Sequence, residues 1–150
     1  MIEAAGSGFL IAVLWMDLIF DVQVLPHRRS AELPEPVLAS IAGYYRRATT
    51  TSRPMSLLIA AVMVILLAAL TFHAVDGTGP GWLTAVFAAL AGGPVLLALL
   101  RTVPRAVELG HRGGTVAEQS LLARAICRDH LLCLTSMSTF LALWLVTNGT

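Results

Sequence analysis

Asp17 and Asp21 stand four residues apart in an otherwise apolar stretch, so on a helix they share one face. Two carboxyls this close and away from water disfavour each other's charge, and burial disfavours both. The chemistry open to such a pair is narrow. It can hold a proton, hold a cation, or grip the polar head of a ligand. The plainer alternative is a pair of hydrogen-bonded carboxyls that only ties helices together.

Counting back from His27 at 1.5 Å per residue puts Asp21 roughly 9 Å and Asp17 roughly 15 Å into the helix. By the same rise, the hydroxyls of Thr135, Ser138 and Thr139 lie about 7–14 Å beyond His130. Matched depth makes these hydroxyls the expected partners of the aspartates. Arg101 is expected to reach toward Asp21 from the same end, giving a polar seam that takes a proton, a cation or an amphiphile. A second group of polar residues, Arg46, Arg47, Arg105, Glu108 and His130, is expected at the rim, where an enzyme acting on a lipophilic substrate would do its chemistry.

Other chemistries find less support. The rim residues His27, Glu108, His111, Asp129 and His130 include metal-ligand types, but no HExxH or ExxH spacing fixes a geometry, and no metal is expected. Asp129 and His130 are adjacent, so on a helix their side chains diverge. His73 stands alone toward the opposite end, which leaves a haem without its second ligand. Cys127 and Cys133 are six apart, too far on one helix for a disulfide and outside any zinc pattern, so both are read as buried thiols. No cofactor is assigned.

The elements that must position these residues follow from composition. The chain is 57% hydrophobic and 13% charged, with a mean hydropathy of +0.78; soluble domains carry about 25% charged residues. Water would not tolerate this balance, whereas a bilayer would. The first residues lack the positive region of a secretory signal. Four stretches are long and apolar enough to span: about 5–26, 55–75, 82–101 and 131–147. The expected fold is all-α, one domain over residues 1–150, a four-helix transmembrane bundle.

All ten basic residues are Arg. They fall only between spans one and two and between spans three and four. The positive-inside rule therefore places both loops in the cytoplasm and both ends outside. A Lys-free chain rich in Ala, Leu, Val and Gly suggests a GC-rich bacterial genome, and so an inner (plasma) membrane. Trp82 and Trp144 are expected as anchors at the outer interface. The outer turn between residues 76 and 81 reads as a tight Gly/Pro connection.

In the first inner loop, Pro36 suits the first turn of a helix, and Val37, Leu38, Ile41 and Tyr45 repeat at helical spacing. This helix is expected either to lie on the membrane surface, with Tyr44, Tyr45, Arg46 and Arg47 at headgroup level, or to pack on the bundle. Thr115 and Glu118 match a capping box, so span four is expected to be the outer half of one long helix from about residue 116. Gly92, Gly93 and Pro94 predict a kink, with the small residues there for close packing.

The layout is similar to that of the membrane-associated proteins of eicosanoid and glutathione metabolism, which share the length, the four spans and the basic first inner loop. The likeness implies both ends outside. That family holds glutathione through an Arg/Asn/Glu pattern at the start of its second span. Residues 45–54 here contain neither Asn nor Glu, so no residue role is carried over. Three readings stand: a binding or transport-type protein built on Asp17 and Asp21, a membrane enzyme working at the rim, and a non-catalytic subunit or assembly factor. The expected partners are the lipid bilayer, a lipophilic small molecule, and further copies or a larger membrane complex; nucleic acid is not among them.

Overall fold

Every regular element of the computed structural model, which describes residues 1–77 and 79–148, is helical. Helix α1 spans Ile2–Asp21 and tightens into 3-10 turns over Val22–His27, where Pro26 lacks the N–H an α-helix needs. Helix α2, Glu35–Thr50, starts after Pro34 with Pro36 in its first turn, and α3, Arg53–Val75, starts with Pro54. Proline suits these places because the first N–H groups have no intrahelical partner. Helix α4, Gly81–Leu97, runs through Pro94 into a π turn, Ala98–Thr102, and on into α5, Val103–His111. The helical run that carries the third expected span therefore continues past residue 101, to His111. Pro104 lies in the first turn of α5, where it is tolerated. Arg112 then closes α5 in the left-handed region at φ 56°.

The last helix, α6, spans Val116–Asn148. Its capping box forms as expected: the Thr115 N–H donates to Glu118 Oε2 at 2.7 Å, and the Glu118 N–H donates to Thr115 Oγ1 at 3.2 Å. The outer turn expected between residues 76 and 81 includes Thr78, which lies outside the described residues.

Four helical stretches, Ile2–His27, Arg53–Val75, Gly81–His111 and Val116–Asn148, are long and apolar enough to cross a membrane. Their outward faces are apolar: Leu57, Leu58, Val64, Ile65 and Phe72 are all exposed along α3. Helix α1 packs on α3 and α6, and α4 packs on the same two; α2 lies mainly against α5. Buried positions on α6 step by three and four, from Ala123 through Ile126, His130, Cys133, Met137 and Phe140 to Trp144. This stripe is the spine of the molecule. At one end, Ile126 and Cys127 join Leu18, Leu38, Ile41, Tyr45 and Leu109. At the other, Met137, Phe140 and Trp144 join Leu10, Leu66 and Phe87.

Three expectations change. Trp144 is 5% exposed and packs among Phe87, Phe140 and His73, so it is a core residue, while Trp82 is 69% exposed. A Cβ added at Gly92 or Gly93 would meet nothing within 4 Å, so these glycines do not admit a neighbouring helix. Pro94 does need help from a neighbour. It cannot donate to the Leu90 carbonyl, and the Ser136 hydroxyl of α6 fills that place at 2.8 Å. Finally, α2 buries Leu38, Ile41, Ala42 and Tyr45, so Tyr45 turns inward while Arg46 and Arg47 stay exposed.

Candidate functional site

The two aspartates of α1 are met by α2 and α6. Tyr45 donates its hydroxyl to Asp21 Oδ1 at 2.6 Å, and Tyr44 donates to Asp17 Oδ1 at 2.5 Å. Between the carboxyls stands the imidazole of His130. Its Nδ1 is 2.6 Å from Asp21 Oδ2, and its Nε2 is 3.8 Å from Asp17 Oδ2. The result is a continuous line, Tyr45–Asp21–His130–Asp17–Tyr44, drawn from three helices.

The hydrogen-bond roles follow by elimination. Ionised Asp21 only accepts, and the single Tyr45 hydrogen is committed to it, so the 3.4 Å approach of that hydroxyl to His130 Nδ1 is not a second donation. His130 Nδ1 must then carry a hydrogen and donate to Asp21. This fixes the tautomer and leaves Nε2 directed at Asp17. Asp21 is fully buried, and His130 is 8% exposed. Phe20 stacks on Tyr44 with ring centroids 4.1 Å apart and holds that ring in place. Burial, and then the neighbouring carboxylates, push both tyrosine phenols well above their ordinary value, so both stay neutral.

A further layer fixes the helices that carry these groups. Buried Asp129, one residue before His130, takes Arg105 of α5 at 2.6 Å, and Arg128 approaches at 3.5 Å. The adjacent Asp129 and His130 side chains thus diverge, as their spacing requires. Arg124 donates to the carbonyls of His27, Ser30 and Ala31, and the Leu33 N–H donates to Ser120 Oγ at 2.9 Å. These bonds pin the first connection to α6. Arg112 grips Glu35 at 2.7 Å and 2.8 Å, joining the start of α2 to the end of α5.

The line of polar groups is not closed off by packing. Asp17, Tyr45 and His130 stand at one end of a cavity of about 410 Å³ whose remaining walls are largely apolar, among them Leu14, Pro94 and Cys133. It runs beside α1 from the level of Asp17 to that of Leu10, about 10 Å of helix rise. Its rim includes Leu99 and Val103, which are 58% and 50% exposed, so it opens sideways between α3 and the α4–α5 segment.

The structure regroups the expected site. The hydroxyls of Thr135, Ser138 and Thr139 are exposed and do not meet the aspartates. Thr135 donates back to the Leu131 carbonyl at 2.9 Å and Thr139 to the Thr135 carbonyl at 2.8 Å. Asp17 and Asp21 meet His130 itself, so these hydroxyls, about 7–14 Å farther along α6, lie beyond the aspartates, and their helical phase also puts them off the buried stripe. A hydroxyl that bonds to its own helix needs no partner from another. Arg101 is exposed on the π turn and makes no ion pair among the described residues. Of the rim residues, Arg46, Arg47 and Glu108 are exposed, Arg105 is engaged with Asp129, and only His130 joins the aspartates. Among the described residues no three His, Cys, Asp or Glu side chains converge as metal ligands would. His73 lies edge-on to Trp144, with ring centroids 5.1 Å apart.

Tyr44 and Tyr45 were missed as site residues. The signal available for Tyr45 was its place on the repeating face of α2; for His130 it was the step-three, step-four stripe of α6. Compared with known proteins, the chain matches no family model, no curated protein and no solved structure.

Proposed function

We propose that the chain is a multi-pass membrane protein that binds an amphiphilic small molecule, with its polar head at Asp17 and His130 and its apolar tail along the groove. The observation that carries this reading is that a buried line of ionisable groups ends at an apolar cavity of ligand size. A seam that only tied helices together would have no need of that space. In this reading the arginine-bearing end is cytoplasmic, both termini are outside, and the membrane is the bacterial inner membrane. Helix α2, with exposed Arg46 and Arg47, then lies at headgroup level. The groove has its polar end nearer the arginine-bearing side and its apolar end farther from it, and its sideways opening admits a molecule already dissolved in the bilayer.

The test is thermal unfolding of the purified protein with single-chain amphiphiles of decyl length. A ligand at a hundred times its Kd adds about 2.7 kcal/mol, enough to read. Leu14→Trp, which fills the groove, is expected to remove the rise in melting temperature, and Leu57→Trp, on the outer face of α3, to leave it. A rise of equal size in the Leu14→Trp protein, or none in the parent, overturns the reading.

A further inference from the structure

The polar end of the groove has an uneven inventory of donors and acceptors. Every donor on the line points away from the open space. The Tyr44 hydroxyl is committed to Asp17 Oδ1, the Tyr45 hydroxyl to Asp21 Oδ1, and His130 Nδ1–H to Asp21 Oδ2. What remains is a carboxylate oxygen, Asp17 Oδ2, facing an imidazole nitrogen, His130 Nε2, at 3.8 Å. Neither has a hydrogen to offer when Asp17 is ionised and His130 neutral. His130 is more than nine-tenths buried, so Nε2 has little access to bulk water. Two facing acceptors repel, and a hydrogen between them relieves the repulsion. Placed on Nε2, that hydrogen makes His130 an imidazolium between the two aspartates.

The charges around His130 tell which ligand can replace that proton. Helix α1 presents Asp17 and Asp21, and α2 presents the neutral phenols of Tyr44 and Tyr45. Helix α5 contributes Arg105, whose charge is matched by Asp129 of α6. The remaining titratable neighbours on α6 are the thiols Cys127 and Cys133, with Arg128 exposed beside Asp129. With His130 protonated, Arg105 matched by Asp129 and Arg128 out in solvent, the two aspartates of α1 exceed the one imidazolium by one negative charge. An anionic head would be repelled and would find the one donor there, Nε2–H, facing Asp17. A neutral hydroxyl could satisfy one acceptor and would leave the proton in place. A primary ammonium offers up to three hydrogens and one positive charge, enough for Asp17 Oδ2 and His130 Nε2 together.

We infer that the head group taken here is a protonated primary amine, and that it enters in exchange for the proton on His130. This rests on the reading of the groove as an amphiphile site. The exchange balances: the ammonium donates one N–H to Asp17 Oδ2 and one to Nε2, while the Nε2 proton leaves to water. One cation arrives and one departs, so the charge buried in the low-dielectric groove does not change. This avoids the desolvation cost of an added net charge.

Titration calorimetry on the protein in lipid nanodiscs tests this, with lipid-only discs as the blank and decylamine, decanol and decyltrimethylammonium as ligands. Runs in two buffers of different ionisation enthalpy count the protons released. Decylamine is expected to bind at least tenfold more tightly than either other ligand and to release one proton. Its affinity should rise about tenfold per pH unit while His130 is protonated in the empty protein. In His130→Gln, binding should persist without proton release and without that pH dependence. Should this variant not fold, the proton count in the parent decides. Equal affinity for decanol and decylamine, or decylamine binding without proton release, overturns the amine–proton exchange and leaves the groove reading intact. Failure of all three ligands to bind removes the groove reading itself.

Discussion

Asp21 is fully enclosed, yet it has two donors at 2.6 Å, one phenol and one imidazole, and a carboxylate so served can remain in the interior. The chain contains two tyrosines, and both give their hydroxyls to aspartates, which makes the line accessible to spectroscopy. A free phenol ionises near pH 10. In the folded protein burial first, and the aspartates next, raise both phenols. Below about pH 10 the folded and unfolded chains both keep these protons and the stability they confer is whole. Above that, the unfolded chain alone releases them, and stability falls until the folded phenols also ionise. Alkaline titration of the folded protein should therefore show little tyrosinate absorbance at pH values where the denatured chain shows it fully. A normal titration of one tyrosine equivalent in the folded state would mean that one hydroxyl is not engaged. The pairing of Asp17 with Asp21 was legible as a helix face, but their partners were not. Counting depth from the helix ends favoured Thr135 and Thr139 on α6 and left His130 at the rim, whereas His130 is level with both aspartates and the threonines lie farther along α6 and off its buried stripe. Which way the Tyr44 and Tyr45 hydroxyls point depends on how α2 docks, a long-range fact absent from local spacing.

At the level of elements, α2 is held where the site needs it by a close crossing with α5. A Cβ at Gly110 would lie 3.0 Å from the Arg46 backbone nitrogen and 3.2 Å from its Cα. Backbone cannot step aside as a flexible side chain can. Gly110→Ala gains about 0.8–1 kcal/mol of helix propensity, against about 1–3 kcal/mol for overpacking. The expected net effect is a loss of about 1 kcal/mol, read as a lower melting temperature, with weaker ligand binding because Tyr45 moves with Arg46. An unchanged or raised melting temperature would show that α2 can shift outward at no cost. Helix α5 itself was hidden in the sequence. Pro104 and the arginines around it read as a loop, and nothing local reveals that the π turn carries the helix onward. The capping box and the extent of α6 were readable because Thr115 and Glu118 satisfy each other within one turn. The kink motif at Gly92, Gly93 and Pro94 was visible, but its answer, a hydroxyl from Ser136, lies on another helix.

For the whole molecule, the ten arginines define one end, and in the proposed topology that end faces the cytoplasm. Gly113 and Gly79 are suitable reporters, since a Cβ at either meets nothing within 4 Å. In intact cells an impermeant thiol reagent should label Gly79→Cys and spare Gly113→Cys; the opposite pattern would invert the topology. The four long apolar helices were readable from hydropathy because a bilayer requires such helices, whereas the pairing of helices around the groove depends on side-chain shape. That pairing also has a consequence in time. Asp21 and His130 are 109 residues apart, and at about 5–20 residues per second the ribosome needs roughly 5–20 seconds to go from one to the other. The anchors of the first connection, Ser120 and Arg124, are made just as late. During synthesis, span one must therefore wait with two carboxyls that lack their imidazole, beside a loop helix not yet pinned. Until the last helix arrives, the nascent chain depends on protonation of those carboxyls, or on the shelter of the insertion machinery, to stay in the membrane.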